Sequence, residues 1–378
     1  MKIIKMEIIH VKPRYSFLKV YTDEGITGIG EACLEGRARV VEMAIKDFEY
    51  LLIGQDPRNI EHLWNLMYRG TFYRAGAILC SAISAIDQAL WDILGKSLNV
   101  PVYKLLGGAV RDKIRVYKHV NTDENVNTDD TERIVELAKK AVQEGYTMIK
   151  TALPGPARIV ESKGFINRQV KRMAALRDAI GPEVDFGIDF HGRVSPALAI
   201  QLIKEFEPFK PMFIEEPCLP ENVDIMVTIA RSTTIPIATG ERLYTRWGFK
   251  DVLEKQAAAI IQPDLAHCGG ITEAKKIAAM GEVYYTGFAP HNPLGPVNLA
   301  ASIQLSATVQ SFIALEQLTL GEGLIKQPFQ LKNGFVDLPT APGLGVELDE
   351  EKIATLLYSG DWKLPHWTHQ DDNSVADW

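Results

Sequence analysis

The spacing of hydrophobic residues changes along the chain. Residues 3–11, 17–22 and 26–32 alternate between apolar and polar positions, which is typical of half-buried strands. Residues 38–100 instead show helical spacing, with an apolar stripe made by Ile83, Ile86, Leu90 and Ile93. Residues 1–113 are therefore predicted to form a small α+β domain.

From residue 114 onwards, short apolar runs rich in β-branched residues alternate with helical segments. The runs are 114–120, 147–153, 184–190, 212–216, 235–239, 258–262, 285–289 and 312–315. Because eight strands alternating with helices suit a closed parallel sheet, we predict an α/β fold, a modified TIM barrel of seven to eight βα units, over residues 114–318. Residues 319–378 contain the hairpin signal Asn333-Gly334 and are expected to pack back on the first domain.

Ionisable residues recur where the predicted barrel strands end. Asp189, Glu215, Glu241, Asp264, His291 and Glu316 follow one another at intervals of 23 to 27 residues. One strand, one helix and two short loops need about that length. Since the C-terminal strand ends of a barrel meet at one mouth, these side chains are predicted to converge there. A single ionisable residue at a strand end usually has a structural role, but six at corresponding positions of consecutive strands indicate a functional site.

Three of these acids, Asp189, Glu215 and Glu241, would repel one another unless a cation lay between them. A set of carboxylate oxygens favours Mg2+, and three protein ligands would leave positions for water or a chelating 2-hydroxycarboxylate. Glu216 is expected to support the ligands, because the residue next to Glu215 points out of the barrel.

The other groups suit proton transfer. Asp264 is expected to fix the tautomer of His291 and raise its basicity, which makes His291 a candidate general base. His191 lies two residues after Asp189 and is expected to face the substrate from the other side. Glu316 is a candidate for hydrogen bonding to an oxygen that gains negative charge.

Four further residues are candidates for binding substrate. Lys150 and His119 end predicted strands, and for both a structural role is equally compatible with the sequence. Arg14 and Tyr73 lie on predicted loops of the small domain, from which they could close over the barrel mouth. His267, in a loop after the sixth strand, is expected to be structural.

Composition excludes several classes of partner. A formal net charge of −7 offers no basic surface for nucleic acid or an anionic membrane. No apolar run reaches the length of about 18 residues that spans a bilayer. The four cysteines form no CxxC pair, and the N-terminus has no apolar stretch of signal-peptide length. These features predict a cytoplasmic protein that acts on a small molecule.

Several long segments resemble the mandelate racemase subgroup of the enolase superfamily over essentially the whole chain. They are Ser81–Asp92 with Leu105-Leu-Gly107, Asp189–Arg193, Phe213–Pro217, Thr239–Arg242, Gln262–Leu265, Gly269–Glu273, Ala289–His291 and the tail from Asp372. Within the subgroup the segments are most similar to those of the dehydratases of D-galactonate.

The resemblance implies a modified TIM barrel with an N-terminal capping domain and Mg2+ on Asp189, Glu215 and Glu241. It also implies dehydration of a sugar acid, an aldonate, to a 2-keto-3-deoxy acid through an enediolate. His291 would take the C2 proton, with Asp264 raising its basicity, His191 would protonate the departing C3 hydroxyl, and Glu316 would stabilise the enediolate. Relatives in the superfamily are multimeric, so an even-numbered homo-oligomer is expected.

One difference from the subgroup disfavours a racemase that uses two bases on the second barrel strand. Racemases of the subgroup carry a Lys-x-Lys pair on the second barrel strand, whereas Lys150 is followed by Thr151 and Ala152. Three alternatives stay open: another aldonate, a racemase or epimerase on the same site, and a non-catalytic, metal-bound regulatory homologue. The segments 121–130 and 151–164 follow predicted strand ends and are expected to shape the pocket.

Overall fold

The computed structural model describes residues 1–120 and 130–377. Residues 121–129, which make up most of the pocket-shaping segment predicted at 121–130, and Trp378 of the predicted C-terminal segment lie outside the described residues. The first domain consists of β1 (Ile3–Val11), β2 (Tyr15–Thr22), β3 (Thr27–Glu31), α1 (Ala38–Leu52), α2 (Ile60–Arg69), α3 (Ala77–Ser97) and α4 (Val102–Leu105). The prediction of strands followed by helices is confirmed.

The small domain is an antiparallel sheet, ordered β1-β2-β3, with α3 packed against β3. Gly28 and Gly30 lie on the β3 face that meets this helix, where an added Cβ would overlap the carbonyl oxygens of Ala89 and Ala85. The Gly-x-Gly pattern is therefore a packing feature. Among the described residues α3 is the one helix long and apolar enough to cross a membrane, and 72% of its apolar window is buried in the protein.

The second domain is built on eight parallel strands. They are β4 (Lys113–His119), β5 (Met148–Ala152), β6 (Asp185–Asp189), β7 (Phe213–Glu215), β8 (Ile237–Thr239), β9 (Ile260–Ile261), β10 (Gly287–Phe288) and β11 (Leu315–Gln317). The hydrogen-bonded order runs β10-β9-β8-β7-β6-β5-β4-β11. A single bridge between Phe288 and Phe312 joins the two ends of this order, so the sheet curls into a barrel. The run predicted at 312–315 forms only this bridge at its start, and regular pairing with β4 begins at Leu315.

Helices connect the barrel strands in the predicted alternation. They are α5 (Thr131–Gln143), α6 (Lys163–Ile180), α7 (Pro196–Phe206), α8 (Val223–Ala230), α9 (Thr245–Glu254), α10 (Gly270–Val283) and α11 (Pro296–Ser306). Four of them begin at a residue whose side chain accepts a backbone N–H of the first turn, namely Asp130, Ser162, Ser195 and Asn222. These caps fix where each loop at the barrel mouth ends.

The C-terminal segment contacts both domains. Asn333 and Gly334 form the predicted turn, with positive φ at both residues, and β12 (Phe335–Asp337) then pairs antiparallel with barrel strand β4. Further along, Gly343 N–H donates to Val100 O at 3.0 Å and Lys12 N–H donates to Leu356 O at 2.8 Å. A short helix, α12 (Glu350–Ala354), lies between these contacts. These hydrogen bonds hold the later part of the segment against the first domain.

A buried carboxylate of the small domain caps a helix of the barrel. Glu31, at the end of β3, accepts the backbone N–H groups of Gly295 at 2.5 Å and Asn298 at 2.8 Å, at the start of α11. The dipole of the helix favours a negative charge there. Burial nevertheless raises the pKa of Glu31 from 4.5 to about 7, because these hydrogen bonds offset the loss of hydration only in part.

This raised pKa predicts a pH-dependent stability. A group with a higher pKa in the folded state stabilises fully below its unfolded pKa of 4.5, and this contribution is lost as the pH rises through about 7. The wild type should therefore lose about 3 kcal/mol of unfolding free energy from this group between pH 4.5 and 8. Urea unfolding of wild type and Glu31→Gln at both pH values measures it, since the Gln variant should lack this part of the pH dependence. Equal pH dependence in the two proteins would contradict the prediction.

Candidate active site

A cavity of about 390 Å³ lies where the barrel strand ends meet loops of the small domain and the C-terminal segment. Predicted site residues that line it are Arg14, His119, Lys150, His191, Glu241, His291 and Glu316. The loop after β5 also contributes Leu153, Pro154 and Gly155, so part of the predicted segment 151–164 does shape the cavity. Tyr73 does not line it; its side chain is 83% exposed, and the structure gives no support for the predicted substrate contact.

Lys150 lies inside a ring of buried carboxylates. Its Nζ is 3.2 Å from Asp189 Oδ2, 3.0 Å from Glu215 Oε2 and 2.9 Å from Glu316 Oε1. Burial alone would lower the pKa of this ammonium, but the three carboxylates raise the pKa well above its ordinary value. Of the two roles that the sequence allowed for Lys150, the structure shows the ion-paired one.

Glu241 and His191 border the same cluster from another side. Ligand atoms of Asp189, His191 and Glu241 lie within 4.8 Å of one another, a spacing that one metal ion could bridge. Glu215 is outside this group, and its Oε2 lies 3.0 Å from Lys150 Nζ. Burial raises the pKa of Glu215 well above its usual value and that of Glu241 to about 7, and nearby carboxylates add to both shifts.

The three predicted ligands have unused acceptor capacity. Asp189 Oδ2, Glu215 Oε2 and Glu241 Oε2 are buried and lack a hydrogen bond from the described residues, although Lys150 Nζ forms ion pairs with the first two at 3.2 and 3.0 Å. One ammonium does not balance the several buried carboxylates around it, and the remaining negative charge is costly unless a further cation compensates it. The donor set is therefore suitable for a divalent cation that prefers oxygen.

Glu216 takes the supporting role predicted for it. Its carboxylate accepts hydrogen bonds from Arg242 Nε at 2.9 Å and Nη2 at 2.7 Å. Arg242 Nη2 also donates to the carbonyl of His191 at 3.1 Å. The pair thus connects the loops after β6, β7 and β8 and positions the residues that follow each strand.

His291 and Asp264 form a dyad. His291 Nδ1 is 2.8 Å from Asp264 Oδ2, while His291 Nε2 lies 3.3 Å from Glu241 Oε2. A proton on Nδ1 leaves Nε2 as the acceptor. Although burial lowers the pKa of this imidazole, Glu241, Glu316 and Asp264 raise it well above its ordinary value. A cation bound to Glu241 would reduce that effect and favour a neutral base.

Polar residues of the helix layer hold the dyad in place. Asn298 donates from Nδ2 to Asp264 Oδ1 at 3.1 Å and to Asn292 Oδ1 at 2.9 Å. Gln88, on α3 of the small domain, donates to Asn298 Oδ1 at 2.9 Å. The carboxylate behind the imidazole is therefore supported by both domains.

The alternation of side chains along a strand does not explain why His191 faces the cavity. It lies past the end of β6 with φ 49°, and its backbone N–H donates to Asp189 Oδ1 at 2.9 Å. Its Nε2 is 3.3 Å from Asp189 Oδ2. Burial lowers the pKa of His191 well below its usual value, which favours the neutral imidazole.

His119, His267 and two residues that the sequence analysis assigned no role, Glu35 and Arg193, add to the polar lining. Burial lowers the pKa of His119 to about 4, so this imidazole is neutral at pH 7. His267 and Glu35 face each other at 3.7 Å, and Arg193 lies at the β6 loop. His267 was expected to be structural, yet it lines the cavity and its Nε2 lies 3.9 Å from Asp264 Oδ2. The one sequence signal for Arg193 is its position at the end of the Asp189–Arg193 segment.

Comparisons with known proteins agree with this architecture. Residues 133–352 match the model of the enolase C-terminal domain-like family, and residues 4–107 match the mandelate racemase/muconate lactonizing enzyme N-terminal domain. The chain is 46% identical to a D-galactonate dehydratase of Variovorax paradoxus and 45% identical to one of Cronobacter sakazakii, with 100% of both chains covered in each case. The expectation of an enzyme similar to these hydro-lyases is confirmed.

Solved structures show the same fold. A member of the enolase superfamily from Salmonella Typhimurium superposes with a TM-score of 0.87 at 34% identity, covering 93% of this chain and 97% of that one. A mandelate racemase/muconate lactonizing enzyme from Jannaschia sp. gives 0.88 at 34% identity, covering 95% and 98%. The chain therefore belongs to the mandelate racemase/muconate lactonizing enzyme family of the enolase superfamily.

Proposed function

We propose that the protein dehydrates a sugar acid in a Mg2+-dependent reaction, with an aldonate as substrate and D-galactonate as the first candidate. The observation that carries the proposal is the placement of two imidazoles, His291 and His191, beside one buried cluster of carboxylates in one cavity. The full-length relatives named for D-galactonate support the choice of substrate.

Asp189, Glu215 and Glu241 would hold the Mg2+ ion. Oxygen ligands suit this ion better than the imidazole of His191, and each of the three acids has a buried oxygen that accepts no hydrogen bond from the described residues. When bound, the ion would neutralise the substrate carboxylate as negative charge develops on it. His191 is then left for proton transfer.

The protein residues divide the proton transfers between them. His291 Nε2 would accept the C2 proton, since its Nδ1 is held by Asp264. His191 Nε2 would deliver a proton to the C3 hydroxyl as it leaves. Glu316 accepts hydrogen bonds from Lys150 at 2.9 Å and from the Asn292 N–H at 3.3 Å. Glu316 would therefore need a proton to donate to a developing oxyanion, whereas Lys150 can already supply positive charge there.

The test is an assay of 2-keto-3-deoxy acid formation with a library of aldonates, with and without Mg2+, in D2O. Dehydration predicts a 2-keto acid from at least one aldonate. Deuterium incorporation at C2 without loss of water would show a racemase or epimerase, and binding without any reaction would show a regulatory homologue. The full-length relatives named D-galactonate dehydratase favour the dehydratase over both.

The setting of the reaction is also part of the proposal. The four cysteines are buried and unpaired, which suits a cytoplasmic enzyme in a reducing compartment. An even-numbered homo-oligomer remains a prediction, and analytical ultracentrifugation measures it.

A further inference from the structure

The last part of the chain closes the cavity. We call residues 359–377 the C-terminal arm. Trp362, Leu364, Pro365 and Trp367 of this arm line the cavity beside the ionisable groups. They add apolar surface to it, although they lie far in sequence from every strand end that contributes to the cavity.

The arm is fixed to the small domain at its start. Arg39 Nε donates to Ser359 O at 2.7 Å, and Lys363 Nζ donates to Gly36 O at 3.2 Å. Arg14 lies over the ring of Trp362 at 5.2 Å, within the range of a cation–π contact. Arg14 also donates to Pro293 O at 2.9 Å, two residues after the catalytic base, so Trp362 packs on a side chain that is itself fixed to the site.

The arm is fixed to the barrel at its far end. Arg193 lies 4.5 Å from the ring centroid of Trp367. The loop after β5 meets the other part of that ring at Gly155, where an added Cβ would overlap the ring atoms. Arg158 on the same loop pairs with Asp371 and Asp372, and Ala376 N–H donates to Trp367 O at 3.0 Å, which folds the end of the arm back on itself.

We infer that Trp362 and Trp367, each stacked on an arginine of the cavity wall, form the subsite for the distal carbons of a sugar acid. The inference rests on the proposed function for the class of ligand. With the carboxylate end at the acidic cluster, the rest of the acid presents C–H faces and hydroxyls to the remaining wall. Flat aromatic rings suit the C–H faces, while guanidinium N–H groups held in place by those rings suit the hydroxyls.

The inference separates ligands by chain length. A three-carbon 2-hydroxy acid reaches the acidic cluster but not the arm, whereas a six-carbon aldonate fills both. Trp367→Ala and Trp362→Ala should each raise the Kd of D-galactonate by about tenfold or more and leave the Kd of D-glycerate unchanged. Isothermal titration calorimetry on the Mg2+-saturated full chain, with His291→Ala in every protein compared, measures both ligands with turnover suppressed.

Two further variants test the arm without deleting a ring. Gly155→Ala should displace Trp367 and reproduce the selective loss of D-galactonate binding, although the arm's own sequence is unchanged. Trp367→Phe keeps an aromatic face and should retain more affinity than Trp367→Ala. Trp247→Ala is the matched control, because Trp247 is 53% exposed and does not line the cavity.

Each outcome decides the inference. A loss confined to the six-carbon acid supports it, whereas equal losses for both acids, or no loss in Trp367→Ala and Gly155→Ala, overturn it. If wild type binds D-galactonate but releases no 2-keto acid, the dehydratase proposal fails while the binding data still judge the arm. If wild type binds neither acid, the inference and the choice of D-galactonate as substrate are overturned, while the aldonate library still tests the dehydratase proposal.

Discussion

His291→Ala should lower kcat for aldonate dehydration by about 10³-fold to 10⁴-fold, the largest effect expected of any single substitution in this protein. Nδ1 of this imidazole lies 2.8 Å from Asp264 Oδ2, which leaves Nε2 to act as the proposed base. Lys150 is held as an ion-paired cation, and His191 is proposed to act on the C3 hydroxyl, so we expect neither to replace His291. Steady-state kinetics with D-galactonate measure the loss.

Two controls show whether the loss is chemical. His62→Ala removes an exposed imidazole of α2 and should leave kcat unchanged. Asp264→Asn should reduce kcat by about tenfold to a hundredfold, since it removes the support rather than the base. If His291→Ala kept kcat within tenfold of wild type, the assignment of the base would be wrong.

Removal of the divalent cation should abolish turnover, and single ligand substitutions should weaken Mg2+ binding by more than about a hundredfold. The variants to compare are Asp189→Asn, Glu215→Gln and Glu241→Gln. Substitution of a residue that only supports a metal ligand costs about tenfold to a hundredfold in affinity, so the loss of a ligand should cost more. Calorimetric titration of Mg2+ into metal-free protein measures the change without substrate. Glu282→Gln, on the exposed face of α10, is the matched control.

The same titration decides between two sets of ligands. The structure brings Asp189, His191 and Glu241 within 4.8 Å, whereas the proposal uses Glu215 in place of His191. If the oxygen set holds the ion, Glu215→Gln should weaken Mg2+ binding and His191→Asn should lower kcat with the metal affinity kept. The reverse pattern would contradict the ligand assignment and leave His191 without its role as acid.

The sequence was sufficient to predict the barrel and the meeting of its ionisable strand-end residues at one mouth. Parallel strands all point one way, so a charged residue after each apolar run has to arrive at the same rim. Asp264 and His291, 27 residues apart, illustrate this, because their contact follows from the strand order alone. The place of Lys150 was left open, since local pattern does not show which of several acids a long side chain will reach.

Contacts between distant segments lay beyond this kind of prediction. Trp362 and Trp367 belong to a stretch with no periodicity, and their partners Arg14 and Arg193 lie more than a hundred residues away. Tyr73 was predicted from a loop position near the mouth; it is 83% exposed and does not line the cavity, so its substrate contact stays a prediction. The left-handed backbone at His191 is likewise a tertiary feature, since few side chains adopt it without support from their surroundings.

Contacts between the two domains limit how freely one domain can be exchanged for that of another protein. They are the cap that Glu31 forms on α11 and the hydrogen bond from Gln88 to Asn298, which itself donates to Asp264. A chimera that joins this barrel to a foreign small domain would inherit every reacting group and still lack two of the groups that hold the base in place. Engineering a new specificity into this scaffold therefore requires that Glu31 and Gln88 be kept, whichever loops of the small domain are exchanged.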